Sequence, residues 1–527
     1  MKLYIDIGNN IADKKSPPAY MAAVSAMVCG VVVHAFALVN ILHNYDNILQ
    51  QPKGYGAGVT SGRWLLALLG DFCQNILDLG YNLPVIKGLI YLGFIAVSAA
   101  VVVDFLHITG SRAVLTGCLM STFPTVFDTM VFRYTASYYG LALLLSVLAA
   151  WAVHRKRWGV PLSALCLALS MGIYQAYPPV TISLLLLSLM REALEEDADI
   201  VKLIRKGLRC CVSLVLGVLL YFVLLKAALA LYSIQRPVAL DSYQGISTMG
   251  QISLSQIPWL IKKAWFTGAT FTLMDYCGLA ATPVLKVIWT LLVVAILCLA
   301  ACILIRKKTK PLPAAFFCLM GLMFPLGVNF IAVMCPDAKI YAIMVYAFVL
   351  VAIAPLMLLE CLPQGAGNTK IWLSRIISVL AACIVFYNGY YGNLNDTAQY
   401  YADRQVENYF SGMYAQIRMT EGYTPDKTLA FLGEKIDDPK MWNIWNAEPS
   451  YGGFASAQSL LNASYSVDCW ITTYLGYETD GASNEEKDRL WKDPRVREMP
   501  CWPNEGSMQV VDDFLVVKFQ EALNTIS

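Results

Sequence analysis

Asp46 stands about one helical turn past the first long apolar stretch of this 527-residue chain, with Asn44 and Asn47 beside it. A carboxylate in that place can accept a proton at the mouth of a helical bundle, and it can equally be an ordinary solvated loop acid. Further charged groups recur on other connections. A glycine-rich run, Gly54–Gly58, leads into Ser61, Gly62, Arg63 and Trp64; Asp128 and Arg133 read as an acid-base pair between two apolar stretches, and Asp337 and Lys339 after Pro336 as another; Lys262, Lys263 and Asp275 lie in a long loop. Each alone reads as a loop charge. Gathered at one end of a bundle, they suit a reaction in which a base removes a proton while cations steady a departing anion.

The elements that must position these residues are apolar. Hydrophobic residues make up 57% of the chain and charged ones 14%, with mean hydropathy +0.54, against about a quarter charged in a soluble domain. Net charge is +2, so nothing in the balance points to nucleic acid. Stretches of about 20 apolar residues are expected to span a bilayer at 20–42, 84–107, 113–128, 136–153, 159–175, 178–190, 210–232, 283–305, 312–334, 339–359 and 371–391, roughly eleven in all. The first is too long for a signal-peptide core and is expected to be retained. Residues 64–79, apolar but carrying Asp71 and Asp78, read as a helix lying along the membrane surface, as does the part of loop 233–282 that carries Trp259, Trp265 and Phe271.

Orientation follows from the basic residues. Lys14/Lys15, Arg112, Arg155–Arg157, Lys202/Arg205/Lys206/Arg209, Arg306–Lys308 with Lys310, and Lys370/Arg375 fall on alternate connections, which places the N-terminus inside and the C-terminus outside. The expected organisation is a polytopic unit over 1–391, with outward loops 43–83 and 233–282, and an extracytoplasmic domain over 392–527. In that domain 396–420 reads as an amphipathic helix, and 428–433, 508–513 and 514–518 as strands, giving a small α/β or α+β unit. Thirteen of the fifteen cysteines are in or beside spans; Cys469 and Cys501 lie in the outer part, where a disulfide is one possibility. No Walker loop, strand-borne GxGxxG or HExxH is present.

The first outward loop, with Asn44, Asp46 and then Ser61-Gly62-Arg63-Trp64, resembles that of the GT-C membrane glycosyltransferases. It is most similar to the serotype-converting O-antigen glucosyltransferase (glucosyl transferase II) family, as are Tyr174, Gln175, Tyr177 and Pro178 and the outward tail. The resemblance implies a GT-C-like α-helical polytopic membrane enzyme. It would move a hexose, glucose first among candidates, from a polyprenyl-phosphate-sugar donor to a polysaccharide or other envelope acceptor outside the cytoplasm. The family's catalytic acid in the first outward loop matches Asp46, and Tyr174 and Gln175 follow its pattern. Some members carry paired acids in that loop; here the acid is single, which leaves a divalent cation (Mg or Mn) open. Phosphate- and substrate-binding roles for Arg63, Arg133, Lys339, Asp128 and Asp337 rest on placement alone. The alternatives are a lipid-linked polysaccharide polymerase or ligase, and a transporter or flippase for lipid-linked glycans. Against transport stand the few polar groups within spans (His34, Lys226, Asn329) and the absence of an internal repeat.

Overall fold

Proline opens most of the apolar helices, at positions where its missing N–H would have no partner in any case. In a computed structural model the described residues are 17–521, apart from 45, 155–157, 235–237, 241–252, 254, 337, 364–366, 437–439, 448–449, 454 and 462–466. Lys14, Lys15, the Arg155–Arg157 cluster and Asp337 therefore lie outside the described residues. The helices are α1 (Pro18–Val33), α2 (Ala35–Val39), α3 (Trp64–Asn75), α4 (Pro84–Leu106), α5 (Ser111–Thr122), α6 (Pro124–Val131), α7 (Arg133–Ala152), α8 (Gly159–Ile173), α9 (Pro178–Ala193), α10 (Ile200–Tyr232), α11 (Ile257–Thr270), α12 (Pro283–Lys307), α13 (Pro311–Val328), α14 (Ile331–Met334), α15 (Val349–Glu360) and α16 (Gly367–Met419).

Among the described residues seven helices are long and apolar enough to cross a bilayer: α4, α5 joined to α6, α7, α10, α12, α13 and α16. The segments at 18–33, 159–173 and 346–360 are apolar but shorter. Polar side chains explain the breaks. His34 interrupts α1 and α2, its Nε2 donating to the Ser121 carbonyl at 2.9 Å. Phe123 is extended because Pro124 follows it, which parts α5 from α6. The helix expected over 312–334 stops at Val328, where Asn329 donates to Ala264 O (3.0 Å) and accepts from Tyr276 (2.8 Å). The one expected over 339–359 begins only at 346, because Asp128 takes the Ile343 N–H at 2.7 Å and holds 342–344 as a 3-10 turn. At 12 residues α3 is too short to cross, as expected, and its Asp71 accepts from both Tyr55 and Tyr232.

The 53-residue α16 runs through the expected boundary at 391/392 without interruption and is about 80 Å long. Its buried residues Asn388, Gly392, Asn395, Gln399, Ala402, Val406, Phe410, Met413 and Ile417 recur every three or four positions, so one stripe packs along its length. That stripe is polar near the bundle and apolar farther out. The outer half packs on a three-stranded sheet of order β1-β3-β2: β1 (Thr428–Leu432) parallel to β3 (Phe514–Lys518), and β2 (Met508–Val511) antiparallel to it. Leu429, Phe431, Leu515 and Val517 face α16, while Ala430, Leu432, Phe514 and Val516 face Leu490, Val496 and Met499, the two-residue alternation of a strand covered on both sides. Cys469 and Cys501 are both free; the Cys501 thiol donates to Glu521, so the two are not joined.

At Gly117 α5 lies so close to α1 that an added Cβ would press into the Ala22 carbonyl, whereas Gly93 faces open space. Gly117→Val is expected to cost about 1–3 kcal/mol and lower the thermal midpoint of the detergent-solubilised protein. Gly93→Val should leave it in place; equal midpoints for the two variants would contradict this packing.

Candidate active site

The first loop is pinned by residues far from it in sequence. His43 donates its backbone N–H to Asp403 Oδ2 (2.9 Å), and its carbonyl accepts from Gln399 Nε2 (2.5 Å), so both main-chain groups are satisfied by α16. The His43 ring lies in a buried chain: Nδ1 faces Asp403 Oδ2 at 3.1 Å and Nε2 faces the Tyr474 hydroxyl. This network assigns the proton to Nδ1, with Tyr474 donating to Nε2. Asn44 then accepts the backbone N–H groups of Asp46 (2.9 Å) and Asn47 (2.8 Å), an Asx turn that fixes the backbone carrying Asp46. The Asn47 side-chain amide closes the loop by donating to Leu42 O and Val131 O.

Arg63 comes to the same place by a second route. Gln175 donates to Ser61 O (2.9 Å) and to the Tyr221 hydroxyl (3.1 Å), and Tyr221 donates to Gly62 O (3.1 Å). Gly62 has φ +70°, the left-handed turn that reverses the chain before α3. The Arg63 guanidinium then donates to the Tyr139 hydroxyl (2.9 Å) and lies 4.9 Å from the centre of the Tyr174 ring, which stacks on Tyr139 at 4.2 Å. Burial opposes the Arg63 charge, but Tyr139, Tyr174, Tyr134 and the Asp46 carboxylate more than offset it and hold its pKa above the ordinary arginine value. The guanidinium is thus rigidly caged, and its Nε has no hydrogen-bond partner among the described residues.

The other expected residues are distributed differently. Tyr174 and Gln175 belong to the cage, one against the guanidinium and the other on the loop backbone. Asp128 is buried with one oxygen committed to Ile343 N, so it braces the 342–344 turn. Lys339 is exposed beside the Tyr341 ring. Arg133 is buried; it donates to Met130 O (3.2 Å), and Asp128 is not its counter-charge. The acid that acts on its charge is Asp396 on α16, fully buried, with neither oxygen hydrogen-bonded among the described residues and no ion pair within 4 Å joining it to Arg133; the Asn395 amide lies near it without reaching bonding geometry. Asp396, Gln399 and Asp403 were missed because 396–420 reads from sequence only as an amphipathic helix. The signal was present: the polar residues 388, 395, 399 and 403 share the helical spacing of the apolar ones that follow.

No group of three His, Cys, Asp or Glu side chains able to hold a metal forms among the described residues.

A helical membrane protein with an acid and a caged guanidinium at one end of its bundle is what the fold and this site define. The chain matches the glucosyl transferase GtrII family (Glucos_trans_II) over residues 35–352, more than half its length, and belongs to that family. It is therefore a glycosyltransferase, and its chemistry is glucosyl transfer. No match was found among curated proteins or among solved structures.

Replacing Gln175 by Leu would leave the Ser61 carbonyl without its donor and the Tyr221 hydroxyl without its neighbour in a buried place, at about 1–3 kcal/mol. The thermal midpoint should fall and glucosyl transfer should fall further than the unfolded fraction explains, because Arg63 loses its register. A lowered midpoint with unchanged turnover per folded molecule would contradict the positioning role.

Proposed function

We propose that this chain transfers glucose from a polyprenyl-phosphate-glucose donor to a polysaccharide or related envelope acceptor, on the extracytoplasmic side of the plasma (inner) membrane. The observation that carries this reading is that hydrogen bonds hold both Asp46 and Arg63 in the first loop, Asp46 by its backbone N–H to the Asn44 side chain and Arg63 by its guanidinium to the Tyr139 hydroxyl. Such a pair offers what the displacement requires. Asp46 takes the proton of the acceptor hydroxyl, the acceptor oxygen forms its bond to the anomeric carbon, and the bond from that carbon to the phosphate oxygen breaks. Attack on the face opposite the phosphate inverts the anomeric configuration. The phosphate leaves with the bonding electron pair and gains negative charge, which Arg63 meets with a fixed cation in a mostly apolar setting. Tyr139 and Tyr174 hold that cation in place.

Arg133 is buried and donates to Met130 O, while Arg63 lies in the first loop with Asp46, which makes Arg63 the principal phosphate cation in this reading. Lys339, exposed at the same end, is suited to drawing in the anionic donor. The basic residues support this orientation: Arg112, Arg191, Lys206 and Lys307 lie in the helix turns at the end away from Asp46, where Arg112 pairs with Glu360 and Lys307 caps Leu194 O. That end is cytoplasmic in this reading. The three-stranded unit beyond α16 then lies on the extracytoplasmic side and helps bind the acceptor.

Asp46→Asn, which keeps the shape and removes the base, is expected to reduce transfer from polyprenyl-phosphate-[14C]glucose by about 100-fold or more while membrane insertion and thermal midpoint stay unchanged. Turnover within a few-fold of wild type would remove Asp46 from the chemistry.

A further inference from the structure

Large aromatic side chains rarely stand in water on a segment that buried polar groups hold in place. The turn at 442–445 is such a case. Trp442 and Ile444 are 71% and 74% exposed, and Trp445 is 42% exposed. Trp445 stacks on Tyr401 of α16 with ring centres 5.6 Å apart and planes within 7° of parallel. Beneath them Asn443 is buried. Its amide donates to Ala398 O (2.6 Å) and Ala455 O (3.2 Å), and its Oδ1 accepts the Trp445 N–H (2.9 Å). Gln405 donates to Trp442 O at 2.9 Å. Four hydrogen bonds thus fasten a turn whose apolar side chains face outward, the reverse of what stability alone would select.

The bilayer does not account for the patch. On α16 the lipid-type surface of the apolar stretch ends with Phe386 and Tyr390, both more than half exposed. Ala398 and Gln405, to which the turn is fastened, lie seven and fourteen residues beyond Tyr391, about 10 and 20 Å farther along the helix. The headgroup layer is only about 5–8 Å thick on each side. The rings therefore stand above the membrane surface, on the same end of the bundle as Asp46. An uncharged, flat pair of rings bordered by amide groups matches the apolar C–H face of a pyranose, with hydroxyls around its edge.

We propose that Tyr401, Trp442 and Trp445 form a platform that binds the acceptor glycan through the faces of its sugar rings. This rests on the extracytoplasmic transfer proposed above and adds a specific acceptor surface on the far side of α16 from the His43 contacts. An oligosaccharide lying on the platform bridges the width of one helix to reach Asp46, so the acceptor is a chain of several sugars and not a free monosaccharide.

The test uses the full chain in phosphatidylcholine nanodiscs and measures binding of soluble hexasaccharides of glucan, galactan and rhamnan, with glucose as the single-sugar control. Wild type is expected to bind at least one hexasaccharide and not glucose. Trp445→Ala and Trp442→Ala should each weaken that binding by at least about tenfold with the thermal midpoint unchanged. Asp46→Asn should bind as wild type does, so loss of transfer in that variant with retained glycan binding separates the two claims. No hexasaccharide binding by wild type, or equal binding by the two Trp variants, overturns the platform even where Asp46→Asn abolishes transfer. Quenching of the Trp442 and Trp445 fluorescence by brominated phosphatidylcholine, scored as the difference between wild type and a Trp442→Phe/Trp445→Phe variant, also overturns it by showing the rings in lipid.

Discussion

A loop laid across the end of an apolar bundle must find partners for its own N–H and C=O groups, and that constraint shapes this site. His43 meets it with Asp403 and Gln399, the former 360 residues away in sequence. Asn47 meets it with the Asn44 side chain, which accepts its backbone N–H, and Ser61 and Gly62 meet it with Gln175 and Tyr221. Once these bonds form, Asp46 and Arg63 have little freedom left in their backbones. The positions of the carboxylate and the guanidinium follow from the satisfaction of these other groups.

This arrangement divides the labour along the chain. The stretch that matches the GtrII family ends at residue 352, before α16 begins. It contains Asp46, Arg63, Tyr139, Tyr174 and Gln175. The residues that anchor His43 come after it, from α16 and, through Tyr474, from the C-terminal part. α16 therefore acts as a post: its inner half packs in the bundle, its middle holds the first loop and faces Arg133 with Asp396, and its outer half carries the sheet. Any change that alters the rotation of this helix is felt at Asp46.

Much of the architecture was legible in the sequence because bilayer length and strand alternation leave periodic marks. Seven of the roughly eleven expected apolar stretches form helices long enough to span among the described residues, a short helix forms at 64–75, and all three strands fall where those marks place them. Where expected helices stopped early, the cause was a side chain meeting a distant backbone group, as at Asn329 and Asp128, and no local pattern announces such a meeting. The neighbourhood of Asp46 and Arg63 followed from both lying in one loop. The acid that acts on Arg133 did not. Asp128, five positions before it, was the visible choice, while Asp396 enters from α16. Tyr174 and Gln175 were recognised by type and order, but their tasks, caging a guanidinium and holding a loop carbonyl, exist only once α7, α8 and α10 are packed together.

The central claim is that Arg63 receives the donor phosphate while Asp46 faces the anomeric carbon. The most direct measurement is a cryo-electron microscopy structure of the full chain with a polyprenyl phosphonate analogue of the glucose donor, whose anomeric carbon cannot be cleaved from phosphorus. The account requires phosphonate oxygens within hydrogen-bond reach of the Arg63 guanidinium and the anomeric carbon turned toward Asp46. Density for the phosphonate at the opposite end of the bundle, or at Arg133 with Arg63 still closed on Tyr139, would contradict it.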